Sequence, residues 1–295
     1  MVRPAADGRQ VSSDLGFGLP SPRRRMIVLP GAGGTPEATD DATQDLPGDV
    51  TGGLPGDVPA AAGYETVAEL GRGAGSVVHH VRHAGADYTF KVFAAQPDPV
   101  RVADLVRRRA ELLAGATHPG LPITYEIGVV GAHPYVVTDL VPGLPLTRLL
   151  DDAPPAPDAV LALARDLAGM LDIAHRRGVA HGRIMPENVI VAPDGVAHLV
   201  DFAAAPQVGA VGVGNGVGHH VGASGAARHG DLLAVGDLLF RCLVGRPPMP
   251  GETEVGDPRV PAALAAAIAR LLAPDPGDRY PRASTLLAAL GGPVP

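Results

Sequence analysis

The chain has 295 residues, enough for one large two-lobed domain or a smaller one with a tail, and 46% hydrophobic content suffices for a sizeable core. Aromatic residues make up only 3% and Trp is absent, so that core is expected to be mostly Ala, Val and Leu. A net charge of -7 argues against a general nucleic-acid binder, the single cysteine Cys242 excludes an intrachain disulfide, and no apolar run reaches membrane-span length.

Residues 1–63 are rich in Gly, Pro, Asp, Ala and Thr and lack apolar periodicity, which predicts a disordered tail. Arg23-Arg24-Arg25 precedes a short apolar stretch, but Pro30 and Gly31 end it too soon for an export signal, and a cytoplasmic location is expected. Thr35, Thr39, Thr43 and Thr51 are either phosphorylation sites or plain solvated threonines.

Order is predicted from Tyr64. Alternating residues run into Leu70-Gly71-Arg72-Gly73-Ala74-Gly75-Ser76-Val77-Val78, where glycines let backbone N–H groups approach phosphates closely. A strand over Val77–Arg82 and a turn near Gly85 lead to a second strand, Tyr88-Thr89-Phe90-Lys91. Its lysine, set among apolar residues, is either a functional cation or an edge-strand lysine facing water. A helix over Val100–Ala114 follows, then Thr117-His118-Pro119. Strands near Ile127–Val130 and Tyr135–Thr138 lead into Asp139-Leu140-Val141-Pro142-Gly143, which reads as a linker.

From Pro157 the leucine spacing predicts a helix that stops at Gly178. Then comes His181-Gly182-Arg183-Ile184-Met185-Pro186-Glu187-Asn188 and an apolar Val189-Ile190-Val191 strand. Pro193-Asp194-Gly195 turns the chain into His198-Leu199-Val200, so Asp201-Phe202-Ala203 emerges from a hairpin. Between Asp201 and Asp231 lie mostly Gly, Ala and Val, with Ser224 and with His219-His220, a pair lacking further metal ligands at suitable spacing. Helices are predicted from Asp231, with Cys242 as a buried thiol, and over Pro261–Ala273 and Arg282–Leu290.

This ordered set of segments resembles the bacterial Hanks-type serine/threonine protein kinases, through their glycine-rich loop, strand lysine, catalytic loop H-R-D-L-x-x-x-N and metal triplet D-F-G. The resemblance implies an α+β, two-lobed fold over 64–295, with a β-rich N-lobe (64–138), a hinge (139–143) and a helical C-lobe (144–295). It implies a nucleotide held by Leu70, Gly71, Gly73, Val78, Lys91, Asp139 and Val141, a metal held by Asn188 and Asp201, and Thr138 as gatekeeper.

The departures lie at the chemistry. Arg183 stands where the family keeps its catalytic aspartate, Met185 replaces the loop lysine and Ala203 the triplet glycine. An arginine cannot accept a proton near neutral pH. Arg109 falls where a glutamate would pair with the strand lysine, so Lys91 is expected to face a cation; a register two residues off would use Glu111 instead. Arg279 matches an arginine whose usual glutamate partner is missing.

The resemblance therefore implies a pseudokinase that binds ATP and Mg weakly and regulates a protein partner, either an active kinase or a phosphothreonine-reading module. Two alternatives stand beside it: a kinase with residual or unorthodox activity, and an interaction protein with an empty cleft.

Overall fold

Alternation of Val77, His79 and Val81 with Val78, His80 and Arg82 gives one strand two unlike faces, and this pattern organises the first layer of the fold. The structure, a computed structural model, describes residues 58–73, 75–202 and 224–292. Strands β1 (Glu65–Gly73), β2 (Ser76–His83), β3 (Ala86–Phe93), β4 (Thr124–Val130) and β5 (His133–Asp139) form an antiparallel sheet in the order β1-β2-β3-β5-β4. The β2–β3 hairpin turns through Ala84 and Gly85, both at positive φ, the geometry that suits a two-residue loop.

One face of this sheet buries Val81, Phe90, Val92, Tyr135 and Val137. Helix α1 (Val58–Ala61) packs Val58 into the same cluster, and the Tyr64 hydroxyl donates to Glu126 Oε2 at 2.6 Å. The fold thus starts before Tyr64. Residues 58–63 do not belong to a disordered tail, because Val58 and Tyr64 on either side of the turn are buried in the sheet core. Residues 1–57, with the tail threonines, lie outside the described residues.

Helix α2 (Pro99–Leu113) begins at Asp98, whose carboxylate accepts the Arg101 N–H at 3.0 Å. Its inward stripe is Val102, Ala103, Val106, Arg109 and Ala110, and Val106 packs against Phe93 and Val136 of the sheet. The lone arginine in that stripe is the first sign that the helix carries more than packing.

The second layer holds α3 (Leu146–Asp152), α4 (Pro157–Arg176), α5 (Gly225–Val244), α6 (Ala262–Leu271) and α7 (Ala283–Ala289). A small sheet of β6 (Leu144–Pro145), β7 (Val189–Val191) and β8 (Ala197–Leu199) lies beside them. Helix α5 starts ahead of the expected Asp231: the Ser224 hydroxyl accepts the Ala227 N–H, and Ala226-Ala227-Arg228 continue the helix. At Gly236 a Cβ would come within 2.8 Å of Leu271 Cβ, so glycine lets α5 and α6 approach closely.

The two cores differ in chemistry. The helical layer is aliphatic, built around Leu167, Leu171, Leu199, Leu239, Leu264 and Ile268, as the composition led one to expect. Cys242 is fully buried there, and burial pushes its thiol up to about 12. The sheet core departs from that expectation, because the few aromatic residues concentrate in it. Phe90 stacks on Tyr135 at 4.7 Å between ring centroids and meets Tyr64 edge-on at 5.2 Å. No helix among the described residues is long and apolar enough to cross a membrane.

Candidate functional site

Between the five-stranded sheet and the helical layer lies a cleft of about 800 Å³. Its lining includes Leu70, Gly71, Gly73, Val78 and Lys91 from β1–β3, and Thr138, Asp139 and Val141 where the chain passes between layers. Arg183, Met185, Asn188 and Asp201 come from the loops of the helical layer. The nucleotide, metal and loop positions expected from sequence, Arg183 and Met185 among them, therefore meet in one cavity. Its size falls within the range of small-molecule sites, about 300–1,000 Å³.

Lys91 sits on β3, in the middle of the sheet, which rules out an edge-strand lysine. Phe90 and Val92 take the buried core face, so Lys91 is left to the opposite face and to the cleft. Its ammonium meets Asp201 Oδ1 at 2.6 Å, with side chains only 13% and 9% exposed. Asp201 itself has φ of 74°, a left-handed conformation uncommon outside glycine, although Asp tolerates it better than most. The ion pair thus ties the β-sheet to a strained backbone position.

Arg109 does not confront Lys91 as the sequence suggested. Its Nε–H donates to the Phe202 carbonyl at 2.9 Å, and Nη2 donates to the carbonyls of Ala180 at 2.6 Å and His181 at 3.4 Å. Burial pulls its pKa down, while Asp231 and Asp201 oppose that shift. The guanidinium stays protonated, with backbone oxygens rather than a carboxylate as its partners. Glu111 is exposed on another face of α2, so it is not the lysine's partner either.

Beneath the loop is a buried polar network. Asp231, 2% exposed, accepts the backbone N–H groups of His181 at 2.8 Å and Gly182 at 2.7 Å, and its Oδ2 lies 2.8 Å from His175 Nε2. His181 is fully buried and spans the loop: its Nδ1 accepts the Arg183 N–H at 3.1 Å, and its Nε2 donates to the Val200 carbonyl at 2.9 Å. Burial pushes its pKa down and keeps the ring neutral. Sequence reasoning placed Asp231 on a helix but missed its partnership with His175. A carboxylate amid Leu232, Leu233, Ala234 and Val235 was the available signal, since a buried acid must find donors.

The exposed half of the loop is different. Arg183 is exposed, and its Nε–H points to Met185 Sδ at 3.3 Å. Its carbonyl accepts the Asn188 Nδ2–H at 2.8 Å. Three acids line the cleft. Asp201 is held by Lys91, and Asp139 accepts from the Ile123 N–H at 2.7 Å and the Tyr125 hydroxyl at 2.6 Å. Glu187 is exposed and, among the described residues, meets no donor.

Among the described residues no group of three or more His, Cys, Asp or Glu could hold a metal ion. Ala203 and His219-His220 lie outside the described residues. Arg279, expected to lack its glutamate partner, donates instead to the carbonyls of Ala273 at 2.7 Å and Pro274 at 3.2 Å beyond α6.

Comparison with known proteins gives a consistent result. Residues 64–260 match the family model described as protein kinase domain. The serine/threonine-protein kinases PknE and PknL of Mycobacterium tuberculosis are each 30% identical to this chain, over 62% of its length. The matches cover 37% of PknE and 53% of PknL. The probable serine/threonine-protein kinase PknB of Lactococcus lactis is 25% identical over 74% of this chain and 40% of its own. The chain thus spans about half or less of the curated relatives it matches. The crystal structure of the Mycobacterium tuberculosis PknI kinase domain aligns with a TM-score of 0.59 at 25% identity, covering 78% of this chain and 95% of that one.

Proposed function

This chain belongs to the protein kinase domain family, in its bacterial Hanks-type branch, and from that premise we propose that it is a pseudokinase: a nucleotide-binding module that regulates a protein partner without turnover. The observation that carries the reading is Arg183. Phosphoryl transfer to a hydroxyl needs a carboxylate at the acceptor side of the cleft to take or orient the proton. A guanidinium is exposed there, and two of the three cleft acids are already engaged. Loss of a positioned base costs about 100- to 10,000-fold in rate.

In this reading Leu70, Gly71, Gly73 and Val78 cover the nucleotide, Lys91 faces its phosphates, and Asp139 and Val141 flank its base. Asn188 and Asp201 take the family's metal positions, but Asp201 suits a divalent cation poorly. One of its oxygens is held by the lysine ammonium, so a metal there would share the carboxylate with a fixed positive charge. The partner proposed is an active kinase or a phosphothreonine-reading module, because a module without turnover must signal through what it touches.

Two measurements test the proposal. ATP should raise the melting temperature, since a ligand of the native state must stabilise it. Generic kinase substrates should stay unmodified beside an active-kinase control. The absence of any shift at millimolar ATP would favour an empty-cleft interaction protein.

Glu187 supports one second reading, a kinase with an unorthodox base, because it is the cleft acid left without a donor. Phosphorylation by the wild type, lost in both Asp201→Ala and Glu187→Gln, would establish it.

A further inference from the structure

We infer that the cleft takes a nucleoside triphosphate without a divalent cation, with Lys91 cancelling the Asp201 charge and Arg183 providing the positive charge that a metal would otherwise bring. The inference rests on the nucleotide-binding reading above and concerns how charge is balanced inside the same cleft.

Two observations carry it. The Lys91 ammonium meets Asp201 Oδ1 at 2.6 Å inside a pair that is mostly shielded from water. The carboxylate most able to attract a cation is therefore already neutralised by the protein. A metal at Asp201 would share that carboxylate with an ammonium, and like charges held this close repel strongly where water is scarce.

The second is Arg183 itself. It lines the cleft, is exposed, and among the described residues meets the Met185 sulfur at 3.3 Å but no carboxylate. The other cations of the cleft are Lys91, paired with Asp201, and Arg72, paired with Glu69. Arg183 is thus the cleft cation left to meet an incoming anion. A guanidinium presents a planar fork of donors suited to phosphate oxygens. One residue then does two things: it removes the base and draws the phosphates.

The ion pair also makes Lys91 specific in its effect. With the lysine in place, phosphates approach a carboxylate whose charge is cancelled. Without it, they approach a bare Asp201, and the missing charge must come from solution. Loss of Lys91 should therefore convert a metal-indifferent site into a metal-dependent one, whereas loss of Arg183 should weaken binding in both conditions.

The test is ATP titration of the full chain by calorimetry, once with excess EDTA and once with millimolar MgCl₂. The wild-type Kd should agree between the two conditions within about threefold, a difference under about 0.7 kcal/mol by the usual affinity arithmetic. Lys91→Met should lose about tenfold or more in EDTA and regain part of it with Mg, while Lys91→Arg, which keeps the charge, should bind in EDTA as the wild type does. Arg183→Met should weaken binding under both conditions.

Melting curves without ligand confirm that each variant folds, and Lys91→Arg preserves the test if Lys91→Met does not. Wild-type binding seen only with Mg would overturn this inference and leave the nucleotide reading standing. Binding in neither condition would overturn both. Undiminished EDTA binding by Lys91→Met would show that the ion pair has no part in it.

Discussion

The two halves of the His181–Asn188 loop obey different rules. In the inner half, His181, Gly182 and Asp231 are joined by hydrogen bonds that leave little freedom: Asp231 holds two backbone N–H groups and sits beside His175, while His181 reaches across to Val200. In the outer half, Arg183 and Glu187 are exposed, and nothing in the packing dictates their chemistry. A kinase shape needs the first half, and kinase turnover needs the second. The present chain retains the shape and carries Arg183 where the family pattern has an aspartate, so likeness of fold alone says little about activity here.

That contrast can be broken most sharply at Asp231. Asp231→Ala would strand the N–H groups of His181 and Gly182 and leave His175 without its carboxylate. We expect a loss of about 3–5 kcal/mol in stability, measured by chemical denaturation, since breaking one partner of a buried polar pair costs on that order. A loss below about 1 kcal/mol would mean the network is not what holds the loop.

Arg109 should come next. Arg109→Met keeps much of the side-chain volume but frees the carbonyls of Phe202 and Ala180, and about 2–3 kcal/mol should be lost, as for hydrogen bonds to charged groups. A stability equal to wild type would return α2 to an ordinary packing role.

Acid should affect the buried histidines next. Burial lowers the pKa of His181 in the folded state, and of His79, whose two ring nitrogens have no partner. A histidine with a depressed folded pKa contributes stability above its unfolded value near 6.5, and this is lost as pH falls through that value toward the folded pKa. The melting temperature should therefore drop between pH 7 and pH 5. His79→Leu should reduce that drop and cost less than about 1 kcal/mol at pH 7, because it removes an unsatisfied polar ring and breaks no hydrogen bond. A steeper acid fall in this variant would show that His79 is charged and paired.

The smallest effect belongs to the outer half. Arg183→Asp should change stability by less than about 0.5 kcal/mol, as is usual for exposed positions. It should restore no measurable phosphotransfer, because Met185 and the Lys91–Asp201 pair remain as they are. Robust turnover by this variant would mean that a single missing carboxylate was the whole defect.

Much of this architecture was legible in the chain because it is written locally. Glycine spacing, a lysine in an apolar strand and a hairpin ahead of Asp201 each need only a few neighbouring residues, and the cleft residues they marked do converge. Arg109 was less readable. Helical spacing tells which face a residue occupies, but a long flexible side chain goes to whichever acceptors lie within reach, and here those lie in Ala180 and Phe202. The His175–Asp231 contact joins residues far apart in sequence, so no periodicity could report it. Glycines around position 225 hid the start of α5, because the Ser224 cap and two alanines outweigh them.

The reach of Arg109 has a consequence for how the molecule comes apart. Its helix packs on the five-stranded sheet, yet its donors end on carbonyls of the helical layer, and Lys91 crosses the same gap to Asp201. If the sheet peeled away first, a guanidinium and an ammonium would both leave their partners, exposing Asp201 and three carbonyls together. Neither half can loosen at leisure while the other stays folded. The aromatic core and the aliphatic core, different as they are, should therefore melt in one cooperative step, with slow hydrogen exchange on both sides of the cleft governed by the same global opening.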